Sequence, residues 1–335
     1  MGLAAVAGHA CGPPPHRQGA GVSQASQDLC RRGVLAVSAL AEGGLSPAAR
    51  GHLAMLAFSA LVAGSFSLGG IAAPFIDPAA LNAVRFIIGA AVMWALTVAL
   101  GGVDRAALAA PWRYFALAGL YVIYFVTMFE GLKTADPVSM AAVFTLNPAL
   151  TAVFGYLVVR QVTTPWMALA IAVGGAGALW VIFDADLEAL RAFEIGRGES
   201  IFFWGCVAHA LYSPLLRRLN RGEQALTFNA GILTAGAIIL CLWGWRGLME
   251  TDWMALPTIV WVTILYVAVA ATGLTFAIVR YATLRLPSAK VMAYTYLTPC
   301  WVILWEIALG KGVPPALVLP GVALTALALL MLLRD

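Results

Sequence analysis

Residues 135–159 read ADPVSMAAVFTLNPALTAVFGYLVV, and residues 286–309 read LPSAKVMAYTYLTPCWVILWEIAL. Each run opens near a proline, Pro137 or Pro287, followed by small residues. Each carries a second proline directly after a polar side chain, Asn147-Pro148 in the first and Thr298-Pro299 in the second. Polar and apolar residues do not alternate, so these are not membrane β-strands. Both are continuous apolar runs of roughly 20 residues, the length an α-helix needs to cross a hydrocarbon core. The opening prolines are 150 positions apart, from 137 to 287. A membrane helix that returns at such a distance points to duplication of a whole bundle.

Outward from this pair, apolar runs recur from His52 to the C-terminus, near residues 53–73, 79–100, 113–132, 138–158, 164–183, 200–218, 225–245, 257–279, 288–309 and 315–333. Breakers and charges separate most of them: Asp77-Pro78, Gly101-Gly102, Asp136-Pro137, Arg160, Arg285 with Pro287, and Pro314-Pro315. The chain is 62% hydrophobic and 11% charged with a mean hydropathy of +0.89, whereas a soluble domain carries about 25% charge. Lipid is therefore the solvent. Five scattered cysteines (Cys11, Cys30, Cys206, Cys241, Cys300) form no CxxC, which argues against a disulfide framework or a zinc site. The net charge of +4 is spread between apolar runs, so no nucleic-acid face is implied.

The expected fold is an all-α integral membrane protein of ten transmembrane helices in two inverted five-helix repeats. Residues 1–50 lack a sustained apolar period and read as a mobile cytoplasmic tail, or as an over-extended gene start. The first repeat is expected over 51–183, an extracytoplasmic linker over 184–198, and the second repeat over 199–335. With the N-terminus inside the cell, Arg105, Arg113, Arg160, Arg217, Arg218, Arg221, Arg280, Arg285 and Lys290 fall on the cytoplasmic side. Acidic residues such as Asp77, Asp136, Glu199 and Asp252 then fall outside. That bias predicts an inner (plasma) membrane protein with both termini cytoplasmic. Glu130 and Arg280, also 150 apart, carry opposite charge, as expected when an odd helix number inverts the second repeat. Such repeats are a carrier architecture, with the solute near the midplane between them.

Gly64-Ser65-Phe66 in the first run, Arg85-Phe86 in the second, and Asn147-Pro148 before Gly155 with its mate Thr298-Pro299 carry a family likeness. On these residues the chain resembles the drug/metabolite transporter superfamily in its EamA-type branch, over about residues 53–333. The resemblance implies carriage of small organic metabolites such as amino acids, often outward. The glutamate such proteins usually carry after the fourth helix is replaced here around Arg160-Gln161, and its repeat mate falls at Lys311-Gly312.

Ionisable groups inside apolar runs are costly unless they meet a partner or a cavity, so Arg85, Glu130, His209 and Glu306 are informative. Arg85, about two turns into the second run, is either an anion contact or a snorkelling side chain. His209 is the most central ionisable group, either binding protons or solute or held as a neutral buried imidazole. Glu306 shares a helical face with Thr295, Thr298 and Val302, matched in the first repeat by Phe144, Asn147, Thr151 and Gly155. It also stands near Lys311, so an interfacial ion pair is the alternative. Glu130 before Lys133 reads as an interface residue.

The set expected to touch solute is Ser65, Arg85, Tyr124, Asn147, Thr151, Trp204, His209, Tyr294, Thr298 and Glu306. Tyr124 and Trp204 are expected in a cavity wall, and Tyr294, Trp301 and Trp305 more as packing than as a stripe. Gly174, Gly175 and Gly177 with Ala170 and Ala178 are expected to pack helices closely. Pro148, Pro214, Pro299 and Pro320 are expected to bend helices, the repeat-equivalent pair serving as hinges. Neither a cofactor nor a metal is expected. The expected partners are a small solute, the bilayer and a coupling proton through His209 or Glu306, in a monomer or homodimer. An intramembrane enzyme is disfavoured by the lack of HExxH and GxSxG, and a receptor or scaffold is the remaining rival.

Overall fold

The computed structural model describes residues 46–100, 103, 107, 109–183, 185, 186, 188, 195–283, 285, 286, 291, 293–313 and 315–334. The expected tail up to residue 45, part of the expected 184–198 linker, and Pro287-Ser288 of the second copied run lie outside these residues. Among the described residues every regular element is a helix. Seven are long and apolar enough to cross a membrane: Pro47–Phe75, Pro78–Ala99, Trp112–Gly131, Pro137–Val159, Pro165–Ile182, Ala225–Trp243 and Ala316–Leu333.

Three further spans complete the ten. Span six, Arg197–Leu219, is 23 residues long but carries Arg197, Glu199, Arg217 and Arg218 near its ends. Span eight runs without a break through Thr258–Leu265, Tyr266–Leu274 and Thr275–Thr283, the middle nine residues being a π-helix. The described part of span nine includes a 3₁₀ turn, Tyr294–Leu297, that feeds the α-helix Thr298–Ala308.

Spans four and nine are broken at equivalent places, and the same chemistry explains both. Span four divides into Pro137–Phe144 and Asn147–Val159. Pro148 has no N–H to give the carbonyl of Phe144, four residues back, and its ring crowds that oxygen. The Asn147 side chain replaces the missing donor, its Nδ2 reaching the Phe144 carbonyl at 3.1 Å. In span nine Pro299 cannot reach the Thr295 carbonyl, which instead accepts from the Thr298 N–H and, at 2.7 Å, from the Thr298 hydroxyl. The polar residue before each proline is thus a local cap inside a membrane helix. The other two prolines do not divide a span in this way. Pro214 sits within a helix that continues to Leu219. Pro320 is the second residue of Leu319–Arg334, where no i−4 bond exists to be lost.

The helix pairing follows a two-fold pattern. Span two packs most extensively on span seven, and span five on span ten. Span three lies along span six, which also meets the second half of span four. The corresponding contacts of span one are to spans eight and nine. Tyr266 donates to the Leu61 carbonyl at 2.8 Å, and Trp301 and Trp305 donate to Ser59 Oγ and the Ala60 carbonyl at 2.9 and 3.1 Å. Two glycines make these crossings possible. A Cβ at Gly64 would strike the Tyr266 hydroxyl, and one at Gly205 the Thr127 hydroxyl. The glycines of span five behave as expected of a packing stripe: a Cβ at Gly177 would lie 2.5 Å from the Gly321 carbonyl of span ten.

Candidate functional site

Spans two, three, four, six and eight bring a polar and aromatic group together in the interior. Arg85 is its charged member and is 3% exposed. Its Cζ stands 3.7 Å above the centre of the Phe125 ring. Nη2 and Nε donate to Thr272 Oγ1 at 3.1 and 3.4 Å, while Nη1 is buried with no hydrogen-bond partner. Among the described residues no carboxylate comes within ion-pair distance of it. Thr272 belongs to the π-helix, and its hydroxyl donates to the Val267 carbonyl, five residues back, at 2.7 Å. A π turn inserts a residue and widens the helix, and here it carries the acceptor that meets Arg85.

Beside this guanidinium stands a layer of rings. Tyr121 stacks on Phe125 with 5.6 Å between centroids and lies 4.1 Å from the Tyr212 ring. Tyr124, 4% exposed, places its ring 4.5 Å from His209. Phe144 and Phe202 lie 6.0 and 5.6 Å from the Tyr124 ring, and Phe66 of span one touches both phenylalanines. His209 Nδ1 lies 3.4 Å from Asn147 Oδ1, so the asparagine that mends the break in span four also faces the histidine. The group therefore offers one buried cation, an imidazole and several ring faces. It suits a molecule with an anionic head and an apolar body.

Of the expected residues, Arg85, Tyr124, Asn147 and His209 converge here. Ser65 is buried in span one next to Phe66, and Thr151 is half-buried one turn beyond Asn147. Thr298 is fully buried and committed to the Thr295 carbonyl. Trp204 departs from expectation: it is 66% exposed on the outer face of span six and touches Phe203 rather than lining the interior. Tyr294 is bound at 2.7 Å to His52 of span one, which with Trp301 and Trp305 makes that aromatic set a packing device. Glu130 pairs with Lys133 at 2.8 Å in a partly exposed setting, as an interface residue should.

Glu306 stands apart from the central group. It is 6% exposed, its Oε2 lies 3.1 Å from Lys311 Nζ, and it lines a cavity of about 340 Å³ with Asp136, Ser139 and Val181. The residues missed from sequence are Tyr121, Phe125, Tyr212 and Thr272. Tyr121 stands three residues before Tyr124 and Tyr212 three after His209, and Phe125 stands four after Tyr121, which was the available signal. Thr272 gave no such signal, because an α-helical wheel misplaces a π-helical residue.

The EamA-like transporter family matches residues 49–183 and matches a second time over 196–334. Among curated proteins, the uncharacterized transporter YyaM of Bacillus subtilis (strain 168) is 25% identical over 264 residues, covering 78% of this chain and 87% of its own length. A crystal structure of a protein superposes with a TM-score of 0.62 at 21% identity, covering 82% of this chain and 94% of that one, a likeness of fold alone.

Proposed function

From the premise that this chain belongs to the EamA-like transporter family, as a multi-pass membrane transporter with two matching halves, we propose that it is a secondary carrier of small organic metabolites bearing a carboxylate. Amino acids and related compounds are the leading class. The observation that carries this reading is Arg85, a buried guanidinium that faces rings and a hydroxyl but, among the described residues, no carboxylate, with Nη1 unpartnered. A guanidinium so placed is costly to the fold and gains its full set of charge-assisted bonds from an anion.

Alternating access is the mechanism we favour, with the two repeats rocking about the interrupted spans four and nine. Interruptions at Thr145-Leu146 and before Thr298 give each repeat one candidate joint, the first of them next to Asn147. Arginines such as Arg113, Arg160, Arg217 and Arg218 at one end, against Asp77 and Asp136 at the other, support cytoplasmic termini in the plasma membrane. Export is the direction the family resemblance suggests. His209, beside Asn147, is the candidate for proton coupling.

The test is flux in proteoliposomes with a pooled panel of labelled amino acids and other carboxylates, with and without an imposed pH gradient. Saturable, protein-dependent flux of a carboxylate solute is expected. Flux confined to solutes without a carboxylate would overturn the assignment to Arg85, and an unchanged pH profile in His209→Ala would remove coupling through that ring.

A further inference from the structure

We propose that the cavity between spans four, five, nine and ten is a second station, which binds an organic ammonium group on the Glu306 carboxylate. The cavity measures about 340 Å³, which is within the range of small-molecule sites. Its polar wall holds Asp136, Ser139, Glu306 and Lys311. Ser139 donates its hydroxyl to Glu199 Oε1 at 2.8 Å, which brings a third carboxylate to the edge. Among the described residues lining the cavity two carboxylates, Asp136 and Glu306, stand against one ammonium, Lys311, a balance that favours a cation.

Glu306 is the group built to receive it. Its residue is 6% exposed, Oε2 is engaged by Lys311 at 3.1 Å, and Oε1 is buried with no hydrogen-bond partner. A buried carboxylate with one oxygen unbonded holds capacity for another donor. Lys311 is itself an ammonium on a tether, and it marks where such a group sits. Its side chain is 38% exposed, and it is flanked by Gly310 and Gly312, with φ of 76° and 93°. Those left-handed positions favour glycine and give the segment freedom to lift the lysine away. A solute ammonium would then take its place on Glu306.

The rest of the lining selects an organic cation over an inorganic one. Val138, Val181, Val313 and Val318 present alkyl surface. Hard metal ions require about six oxygen ligands, and among the described residues no group of three His, Cys, Asp or Glu is placed to hold a metal. The station's place on a transport path rests on the carrier reading, whereas the binding itself does not. Together with Arg85 it would read both ends of a zwitterion, one in each site.

Titration calorimetry of the purified full chain in lipid nanodiscs, with n-butylammonium chloride as the probe, tests the assignment. Glu306→Gln should weaken binding about tenfold or more, the worth of a charge-assisted contact. Lys311→Ala should tighten it severalfold by removing the internal competitor, an effect that a purely structural ion pair would not produce. Equal affinity in the native protein and Glu306→Gln overturns the proposal. So does unchanged or weaker binding in Lys311→Ala, which decides the matter if the Gln variant fails to fold. Sodium chloride displacing the amine at equal concentration also overturns it. Amine binding without any flux in proteoliposomes would instead count against the carrier reading alone.

Discussion

Replacing Arg85 with methionine should impair transport and stabilise the fold at the same time. Methionine keeps most of the length of the arginine stem and a favourable sulfur contact with the Phe125 ring, 3.7 Å below the present guanidinium. What it removes is a charge that is 3% exposed, with Nη1 lacking a partner. Exchanging a buried ionic group for an apolar one of similar volume is often neutral or stabilising, by about 1–4 kcal/mol. Thr272 is not stranded by the change, because its hydroxyl still donates to Val267 at 2.7 Å. A gain of about 1 kcal/mol is expected, seen as a rise of about 2 °C in the unfolding midpoint. Transport loses a charge-assisted bond of about 1.5–3 kcal/mol to the solute carboxylate. At about 1.4 kcal/mol per factor of ten, kcat/KM for carboxylate solutes should fall about 10- to 140-fold. Arg85→Lys should retain intermediate flux, since a lysine supplies the charge without the bidentate fork. Proteoliposome uptake and intrinsic-fluorescence melts on the same preparations measure both. The reasoning is refuted if flux and melting temperature fall together, which would make Arg85 a structural tie, or if flux is unchanged.

Gly205→Val should cost about 1–3 kcal/mol by forcing spans three and six apart, because its Cβ would strike Thr127 and lie 3.2 Å from the Tyr124 carbonyl; the companion change Thr127→Ala should recover part of the lost melting temperature. At the far end of span three, Arg113 and Glu223 form a 2.6 Å ion pair with side chains 1% and 3% exposed, so Glu223→Gln should cost about 3 kcal/mol. Burial pushes the Glu223 carboxyl up, but the N–H groups of Arg221 and Glu223 and the Arg113 guanidinium outweigh it and hold it below its ordinary value. That stability is present above the unfolded-state pKa of about 4.3 and is lost as pH falls through the lower folded value. Melts of the native protein should therefore converge on those of Glu223→Gln in acid, and a constant gap between them would refute the assignment.

The bundle was readable because its signals are one-dimensional. Run length gives the spans, Pro137 and Pro287 mark the period, and Asn147-Pro148 and Thr298-Pro299 announce breaks. The interior was only partly readable, for reasons of angle. At about 100° per residue, Trp204 lies five positions and some 140° around the helix from His209, on the opposite side of span six. Tyr212, three positions on from His209, was the better choice by the same rule. Tyr294, expected more as packing than as a solute contact, begins the 3₁₀ turn Tyr294–Leu297 and bonds His52 of span one. In span eight, Tyr266–Leu274 reads as an ordinary apolar helix, and its π geometry, which carries Thr272 to Arg85, leaves no mark in the side-chain pattern.

The same contrast separates what the duplication preserved from what gives the molecule its chemistry. Gly64 and Gly205 both admit a close crossing, and the Asn147 and Thr298 side chains both bond the carbonyl that the next proline cannot. These symmetric features shape the bundle and its joints. The chemistry lies where the repeats differ. Span three is α-helical throughout Trp112–Gly131, whereas its counterpart, span eight, carries the π-helix that supplies Thr272. One polar contact between spans four and six is a histidine facing an asparagine, whereas spans nine and one meet through Trp301 on Ser59, Trp305 on the Ala60 carbonyl and Tyr294 on His52. Arg85 lies in span two, while span seven fills its buried face with Ala230, Leu233 and Ala237. Repeat comparison locates what both halves share, so it finds the frame and passes over the site. For the carrier proposed above this division has a physical use: matched halves would exchange roles during rocking, while an unmatched cation between them would select the solute.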